Sequence, residues 1–215
     1  MPLQDRVDPF GELRNDPARG LFMGNRGGRF HTDDRTLGAR RWVTRVWICC
    51  RLEFHGRHRR VWGDGYTELF FLDEVTALAA GHRPCFECRR KEAEAFAECW
   101  RRAFGLNARP HAADMDRVLH AERLDGRNKR FHRSNIDDLP DGALVALEGG
   151  AFAVRGHVLL PWEPAGYGDR MPRPCGIMVE ALTPPSILAV LAAGYRPQWH
   201  PSADEVLGVI PGREP

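Results

Sequence analysis

The N-terminal half of the chain begins without periodicity and then takes up a strand pattern. Residues 1–41 are rich in Gly, Pro, Asp and Arg, which predicts an ordered loop region or arm. Residues 41–56 alternate apolar side chains with arginines, which predicts a strand that ends at Gly56. The run YTELFFL at 66–72 predicts a second, short strand.

Two helices are predicted to follow these strands. Asp73 can act as an N-cap, and we expect the helix that it starts to continue to Ala80 and to end at Gly81. The stretch 91–104 spaces its apolar residues helically, which predicts an amphipathic helix. These residues are Ala93, Phe96, Ala97, Trp100 and Phe104.

The C-terminal half mixes both types of pattern. Residues 109–124 predict a helix, and 125–142 predict a polar loop with no apolar period. Residues 143–162 predict a β-hairpin around a pair of glycines, followed by a strand over 175–182. The two prolines after Thr183 predict the start of a last helix.

Composition limits the class of protein. Of the 215 residues, 43% are hydrophobic and 28% charged, with a formal net charge of +2, which argues against disorder and against a general polycation. No apolar run approaches the ~18 residues of a membrane span, and the N-terminus lacks the apolar core of a signal peptide. We therefore expect a cytoplasmic protein without a membrane partner, whose cysteines stay reduced.

Two of the six cysteines form a C-x2-C motif, Cys85 and Cys88. In a reduced protein this spacing predicts two thiolate ligands of one tetrahedral metal ion. The candidates for the remaining ligands lie upstream, and they are Cys49, Cys50, His55 and His58. Neighbouring residues on a strand face opposite sides, so only one of the two adjacent cysteines is expected to reach the metal.

The stretch WICCRLEF…YTELFFLDEVTALAAGHRPCFECRR, about residues 42–92, resembles the N-terminal zinc domain of the Ada proteins that repair alkylated DNA. The resemblance implies that Cys50 takes the place of the reactive cysteine and Arg51 that of the arginine after it. Cys85 and Cys88 take the last two ligand positions. The remaining cysteine position holds Phe54 here, and His55 is the nearest substitute.

The predicted centre is therefore Zn²⁺ bound by Cys50, His55, Cys85 and Cys88. An imidazole in place of a thiolate removes one negative charge, which favours a structural zinc over a methyl acceptor. We predict an α+β fold in which a small Ada-like zinc lobe (42–104) packs on a mixed lobe (105–215). The mixed lobe is expected to hold a short antiparallel sheet or barrel and a few helices, the last of them C-terminal. Residues 1–41 and 105–215 resemble no family.

The pattern L-A-A-G-x-R-P occurs twice, at 78–84 and 191–197. Both copies predict a helix end, a glycine stop and an extended proline turn. The second copy has Gln198 and Pro201 where the first has Cys85 and Cys88, so only the first copy carries thiols.

Three functions are compatible with these features. The first is a zinc protein associated with DNA, in repair or damage response, that contacts DNA through basic residues near the motif and in two loops. The predicted contacts are Arg26, Arg29, Arg51, Arg83, Arg89, Arg90, Lys129 and Arg130. The second is a hydrolase or nuclease acting on nucleic acid, in which Asp116, His120 and Glu122, with Asp114, supply acid, base or a second metal site. The third is a protein-interaction module with a structural zinc.

Overall fold

The computed structural model of the protein describes residues 2–56 and 60–208. In these ranges the chain forms helices and largely antiparallel sheets, which confirms the predicted α+β class. The α-helices described are α1 (Glu74–Ala79), α2 (Arg90–Ala103), α3 (Ala112–Arg123), α4 (Pro185–Ala192) and α5 (Ser202–Glu205), with a 3-10 turn at Ile136–Asp138. None of them combines the length and the apolar character that a membrane crossing requires.

The helix ends follow the local sequence signals. Asp73 caps α1, since its carboxylate accepts a hydrogen bond of 2.8 Å from the backbone N–H of Thr76. Gly81 has φ +82° after α1 and Gly194 has φ +99° after α4, the left-handed conformation that stops a helix. Both copies of the repeated pattern therefore have the predicted backbone.

The first sheet is built from strands that all precede the cysteine motif. Its strands in the described chain are β1 (Arg6–Val7), β2 (Leu13–Arg14), β3 (Phe22–Asn25), β4 (Ile48–Arg51), β5 (Leu69–Phe71) and β6 (Arg83–Pro84). They lie in the order β2-β1-β5-β3-β4-β6. The prediction of a loop region over 1–41 was wrong in this respect, because β1, β2 and β3 are too short to produce a visible period.

The second sheet belongs to the C-terminal half. A separate two-stranded sheet, β7 (Leu124–Asp125) and β8 (Asn128–Lys129), precedes it. The strands of the second sheet are β9 (His132–Asn135), β10 (Leu144–Leu147), β11 (Gly150–Arg155), β12 (Val158–Glu163), β13 (Gly166–Tyr167), β14 (Met171–Pro172) and β15 (Met178–Ala181). The main path is β13-β12-β11-β10-β15-β9, with β14 beside β12. The predicted hairpin is confirmed, with Glu148 and Gly149 at positive φ in its turn.

Two further predictions were wrong in extent. The strand predicted over 41–56 covers only β4, because the backbone before it turns to the loop after β3, where the N–H of Val43 donates to the carbonyl of Arg26. The polar loop predicted over 125–142 contains β8 and β9, which pair in antiparallel fashion with β7 and β15. The lobe boundaries at 41/42 and 104/105 remain predictions.

Helix α1 lies at the centre of the molecule. All six of its residues are buried, and the four apolar ones are shared among three hydrophobic clusters. Leu78 packs with α2, α3 and α4, Val75 packs with the second sheet, and Ala77 packs with the first sheet. Helix α1, which precedes the cysteine motif, is therefore held in place by α2, α3, α4 and both sheets.

Candidate metal centre

The cysteine motif is placed by a parallel pair of strands. β4 pairs with β6 so that Cys49 lies opposite Pro84. The N–H of Cys85 donates to the carbonyl of Cys49 at 3.0 Å. This pairing brings the turn of Cys85 and Cys88 against the end of β4, where Cys50 is located.

Cys50, Cys85 and Cys88 form a group whose sulfur atoms all lie within 4.8 Å of one another. A tetrahedral Zn²⁺ with Zn–S bonds of about 2.3 Å keeps its sulfurs ~3.8 Å apart, so this spacing suits one metal ion. Backbone N–H groups donate to two of the sulfurs, Arg51 to Cys88 and Glu87 to Cys85, each at 3.4 Å. Such donors stabilise thiolates, and the three cysteines are thus positioned to hold a metal ion.

Because the three sulfurs lie close together, the pKa values of these thiols shift in opposite directions. Hydrogen bonds from Cys50 and Cys88 lower the pKa of Cys85 far below its usual range. Cys50 donates hydrogen bonds to both Cys85 and Cys88, and these bonds raise its pKa, which burial raises further. The low pKa of Cys85 favours a thiolate within the group. A divalent cation binds thiolates and displaces the protons of the neighbouring thiols, so the group is suited to such an ion.

Cys49 has a different environment from its neighbour. It is fully buried in the core of the first sheet, and a guanidinium N–H of Arg89 donates to its sulfur at 3.4 Å. Burial raises the pKa of this thiol, so it stays protonated. The strand alternation therefore assigns Cys50 to the metal group and Cys49 to the core.

The structure does not bring His55 to the three sulfurs. Within the described residues the group consists of the three cysteines, and His55 is exposed at φ +52° with its ring against Phe54, at a centroid distance of 4.0 Å. His58, the alternative ligand, lies outside the described residues.

Two buried ion pairs fix the motif on its two sides. Before it, Arg83 makes a bidentate pair with Asp116 of α3, at 2.8 and 2.9 Å. After it, Arg89 pairs with Glu74 of α1 at 2.8 Å. All four side chains are at most 5% exposed. These arginines therefore hold the turn in place, and their charge is already matched by carboxylates.

The second copy of the repeated pattern completes this support. The hydroxyl of Tyr195 donates to Glu74 at 2.6 Å, and the N–H of Gln198 donates to the same carboxylate at 2.9 Å. The two copies thus meet at Glu74, beside the arginine that follows Cys88. Sequence reasoning missed Glu74 and Tyr195, although the repeat itself was visible.

The three predicted catalytic residues lie in separate contacts. Asp116 is buried in its pair with Arg83. His120 contacts Arg123, with its Nδ1 at 3.0 Å from a guanidinium nitrogen, and burial followed by the charge of Arg123 lowers its pKa. Glu122 accepts hydrogen bonds from the backbone and hydroxyl of Ser186. Asp114 pairs with Arg117. The structure thus does not assemble them into one site.

The eight basic residues predicted to contact nucleic acid divide into two groups. Arg26, Arg83 and Arg89 are buried, and the ammonium of Lys129 donates inward to the carbonyl of Ala79. These four cannot reach a phosphate on the surface. The other four have accessible side chains, each beside a carboxylate, and are Arg29 with Asp33, Arg51 with Glu92, Arg90 with Glu94 and Arg130 with Asp125.

No known protein family, curated protein or solved structure matches the chain. The resemblance of residues 42–92 to the Ada zinc domain therefore stays a prediction from the sequence motif.

Proposed function

We propose that the protein binds one Zn²⁺ through Cys50, Cys85 and Cys88 and that the ion has a structural role. The observation that supports it is the convergence of three sulfurs within 4.8 Å from two elements separated by 35 residues or more in sequence. A metal in this position joins the end of β4 to the turn after β6. Because these strands flank buried α1, the ion would stabilise the centre of the fold.

The fourth ligand comes from the segment that follows β4. A closed tetrahedral structural site needs four protein ligands, and the described part of the chain supplies three. The sequence offers His58 in this segment, since the structure places His55 away from the three sulfurs. A site with three thiolates and an imidazole carries less negative charge than one with four thiolates, which is the reason to propose a structural ion and not a methyl-transfer centre.

The test is the metal content of the full-length protein purified with zinc, measured by elemental analysis for the wild type and for single variants. Cys50→Ser and Cys85→Ser are expected to lose the metal, and His58→Ala is expected to weaken its retention against a chelator. Cys175→Ser is the matched control, because this thiol is exposed and outside the group. A wild type without stoichiometric metal, or a Cys50→Ser variant that retains it, would contradict the proposal.

A second candidate function is association with DNA, as the motif resemblance suggests. The observation that favours it is that Arg51 and Arg90 flank the ligands Cys50 and Cys88 and have side chains that are 56% and 70% exposed. Their ion pairs, at 3.6 and 3.3 Å, are weak surface pairs that a phosphate could replace. DNA would then lie beside the metal centre.

Salt-dependent binding of labelled duplex DNA, followed by fluorescence anisotropy, tests this second function. Each lost phosphate contact should reduce the slope of log affinity against log salt by about 1, so the double variant Arg51→Gln/Arg90→Gln should lower it by about 2. Arg101→Gln/Arg117→Gln removes the same charge from exposed positions on α2 and α3 and should leave the slope unchanged. Equal slopes for both double variants would exclude DNA contacts beside the metal centre.

A further inference from the structure

A second polar site lies in a cleft built by four distant parts of the chain. Arg26 follows β3, Trp47 precedes β4, Arg123 ends α3 and Lys129 lies in β8, and all four line the same cleft. The cleft is narrow, and its cavity volume is about 30 Å³. Its charged lining residues among those described are Arg26, Arg41, Arg123, Arg127, Lys129 and Glu12. Five of these six are basic.

The three inner cations have no carboxylate partner. Within residues 2–56 and 60–208, no acidic side chain forms an ion pair with Arg26, Arg123 or Lys129. Of the nearby carboxylates, Asp8 pairs with Arg14 and Asp116 with Arg83. Glu12 also lines the cleft, but in the described chain it forms no ion pair with the three cations and is a single negative charge beside five basic side chains. Buried charges in proteins are normally paired, so this positive cluster lacks its counter-charge.

Backbone carbonyls satisfy only part of the donors around the cleft. Arg26 donates to the carbonyl of Gly11 at 2.9 Å, and Arg123 donates to the carbonyls of Gly81 and Arg45 at 2.9 and 2.8 Å. The Nε of Arg123 is buried and has no hydrogen-bond partner among the described residues. A guanidinium has five N–H donors, and a buried unsatisfied one is costly unless a ligand accepts from it.

Trp47 holds the two guanidinium groups together. The guanidinium carbons of Arg26 and Arg123 lie 4.1 and 3.8 Å from the centroid of its ring. This cation–π contact offsets part of the repulsion between the two charges. Burial, and then the charges of Arg26 and Arg123, lower the pKa of Lys129 to about 7. Repulsion among the cations is therefore only partly offset.

We propose that this cleft binds a small oxyanion of phosphate chemistry, held by Arg26, Arg123 and Lys129. Arginine forks bind phosphate oxygens in a bidentate manner, and lysine adds a point charge. The free phosphate ion and the phosphate group of a small phosphomonoester share this chemistry. Trp42, which also lines the cleft, offers an aromatic surface for the organic part of a phosphomonoester. The site contains no cysteine of the metal group and is independent of the proposed zinc function.

The experiment is isothermal titration calorimetry of the metal-loaded full-length protein with inorganic phosphate, adenosine 5′-monophosphate and adenosine, in chloride at constant ionic strength. Saturable binding of phosphate or of the monophosphate, without binding of adenosine, is the expected result. Tighter binding of the monophosphate would identify a phosphomonoester as the source of the anion. Equal binding of adenosine and of its monophosphate would overturn the proposal.

Two variants and their matched controls assign the binding to the cleft. Arg123→Gln and Lys129→Met should weaken phosphate binding by about 30-fold or more, the effect of removing one buried partner of a charged pair. Arg117→Gln on the same helix and Arg130→Met beside Lys129 remove the same charge from exposed positions and should change it less than about twofold. Equal affinities in all four variants would overturn the assignment.

The thermal midpoint provides a second readout. Without anion, Lys129→Met should unfold at a temperature no lower than the wild type, because it removes an unpaired buried charge. In phosphate the wild type should gain thermal stability while Lys129→Met should not. If a variant does not fold, the wild type alone decides, and the absence of saturable phosphate binding in it overturns the proposal.

Discussion

The two copies of L-A-A-G-x-R-P have the same backbone and different surroundings. In each, a helix ends at a glycine with positive φ and an Arg-Pro pair follows. In the first copy the arginine is buried against Asp116, and Cys85 and Cys88 come next. In the second copy Arg196 is exposed, and the turn packs on the carboxylate of Glu74.

The comparison shows that local shape and chemistry are separable. The helix stop and proline turn form wherever the pattern occurs, because they depend on backbone conformation alone. The metal group requires β4 beside the turn, and the first copy has this neighbour through its pairing as β6. The second copy has become support for the first, through Tyr195 and Glu74.

The largest expected difference is in the free energy of unfolding after substitution of Arg83 or Arg196, the arginines at the same position of the two copies. Arg83→Met leaves Asp116 buried without its partner, which should lower the free energy of unfolding by about 3–5 kcal/mol. Arg196→Met changes an exposed side chain and should cost less than about 0.5 kcal/mol. Urea unfolding of both variants measures the difference. Similar losses would mean that the two copies are equivalent in stability.

The next largest effect is the loss of metal binding when a cysteine of the first copy is replaced by the residue at the same position of the second copy. Cys85→Gln gives the first copy the residue that the second carries as Gln198, and it should abolish metal binding. At a free zinc concentration of 100 to 1,000 times Kd, the metal stabilises the wild type by about 3–4 kcal/mol. A chelator should remove this stabilisation from the wild type and have no effect on Cys85→Gln. A chelator-sensitive variant would show that Cys85 is not a ligand.

The two glycines should also differ. A β-carbon at Gly81 would lie 2.6 Å from the Cδ of Arg123, whereas at Gly194 it would meet only the end of Arg102 at 3.8 Å. Both Ala substitutions incur the strain of positive φ, about 1 kcal/mol, and Gly81→Ala adds overpacking of about 1–3 kcal/mol. Thermal unfolding of the two variants provides the test. Equal midpoints would show that Arg123 moves freely away from Gly81.

The smallest effect is a pH dependence of stability. It arises at the position between the glycine and the arginine, which is His82 in the first copy and Tyr195 in the second. Burial, and then the charges of Arg26 and Arg123, lower the pKa of His82 well below its ordinary value of 6.5. The folded state therefore binds this proton less readily than the unfolded state, and stability present above pH 6.5 is lost as the pH falls below it.

Between pH 6.5 and 5.5 the wild type should lose about 1 kcal/mol relative to His82→Phe, measured by urea unfolding at each pH. Taking the difference between the two proteins removes the contributions of groups common to both, such as Asp5, whose pKa burial raises to about 6. Parallel pH profiles would show that the pKa of His82 is the same in the folded and unfolded states.

Much of the local structure was predictable because short-range patterns determine it. The cap at Asp73, the stops at Gly81 and Gly194 and the hairpin turn at Gly149 depend on residues within a few positions of one another. The separation of Cys49 from Cys50 followed from strand alternation. The short strands β1 to β3 were not predictable, because two to four residues carry no usable period.

The basic residues show where sequence reasoning ends. Arg26, Arg83, Arg89 and Lys129 are basic residues of the kind found on a nucleic-acid-binding surface. Burial removes the three arginines from such a surface, and the ammonium of Lys129 donates inward to the carbonyl of Ala79. Whether an arginine is a surface contact or part of an internal ion pair depends on where Asp116 and Glu74 lie in space. A sequence records the charge of a side chain and not its neighbours.

The sequence by itself determined the α+β class, the turn that presents Cys85 and Cys88, and the presence there of two thiols at metal-ligand spacing. These follow from backbone preferences and from the chemistry of adjacent residues. Only the tertiary structure decided that Cys50 lies with those thiols, that two buried ion pairs hold the turn, and that Arg26, Arg123 and Lys129 line one cleft with Trp47. The reason is that each of these depends on segments far apart in the chain, whose contacts arise from the packing of the whole fold.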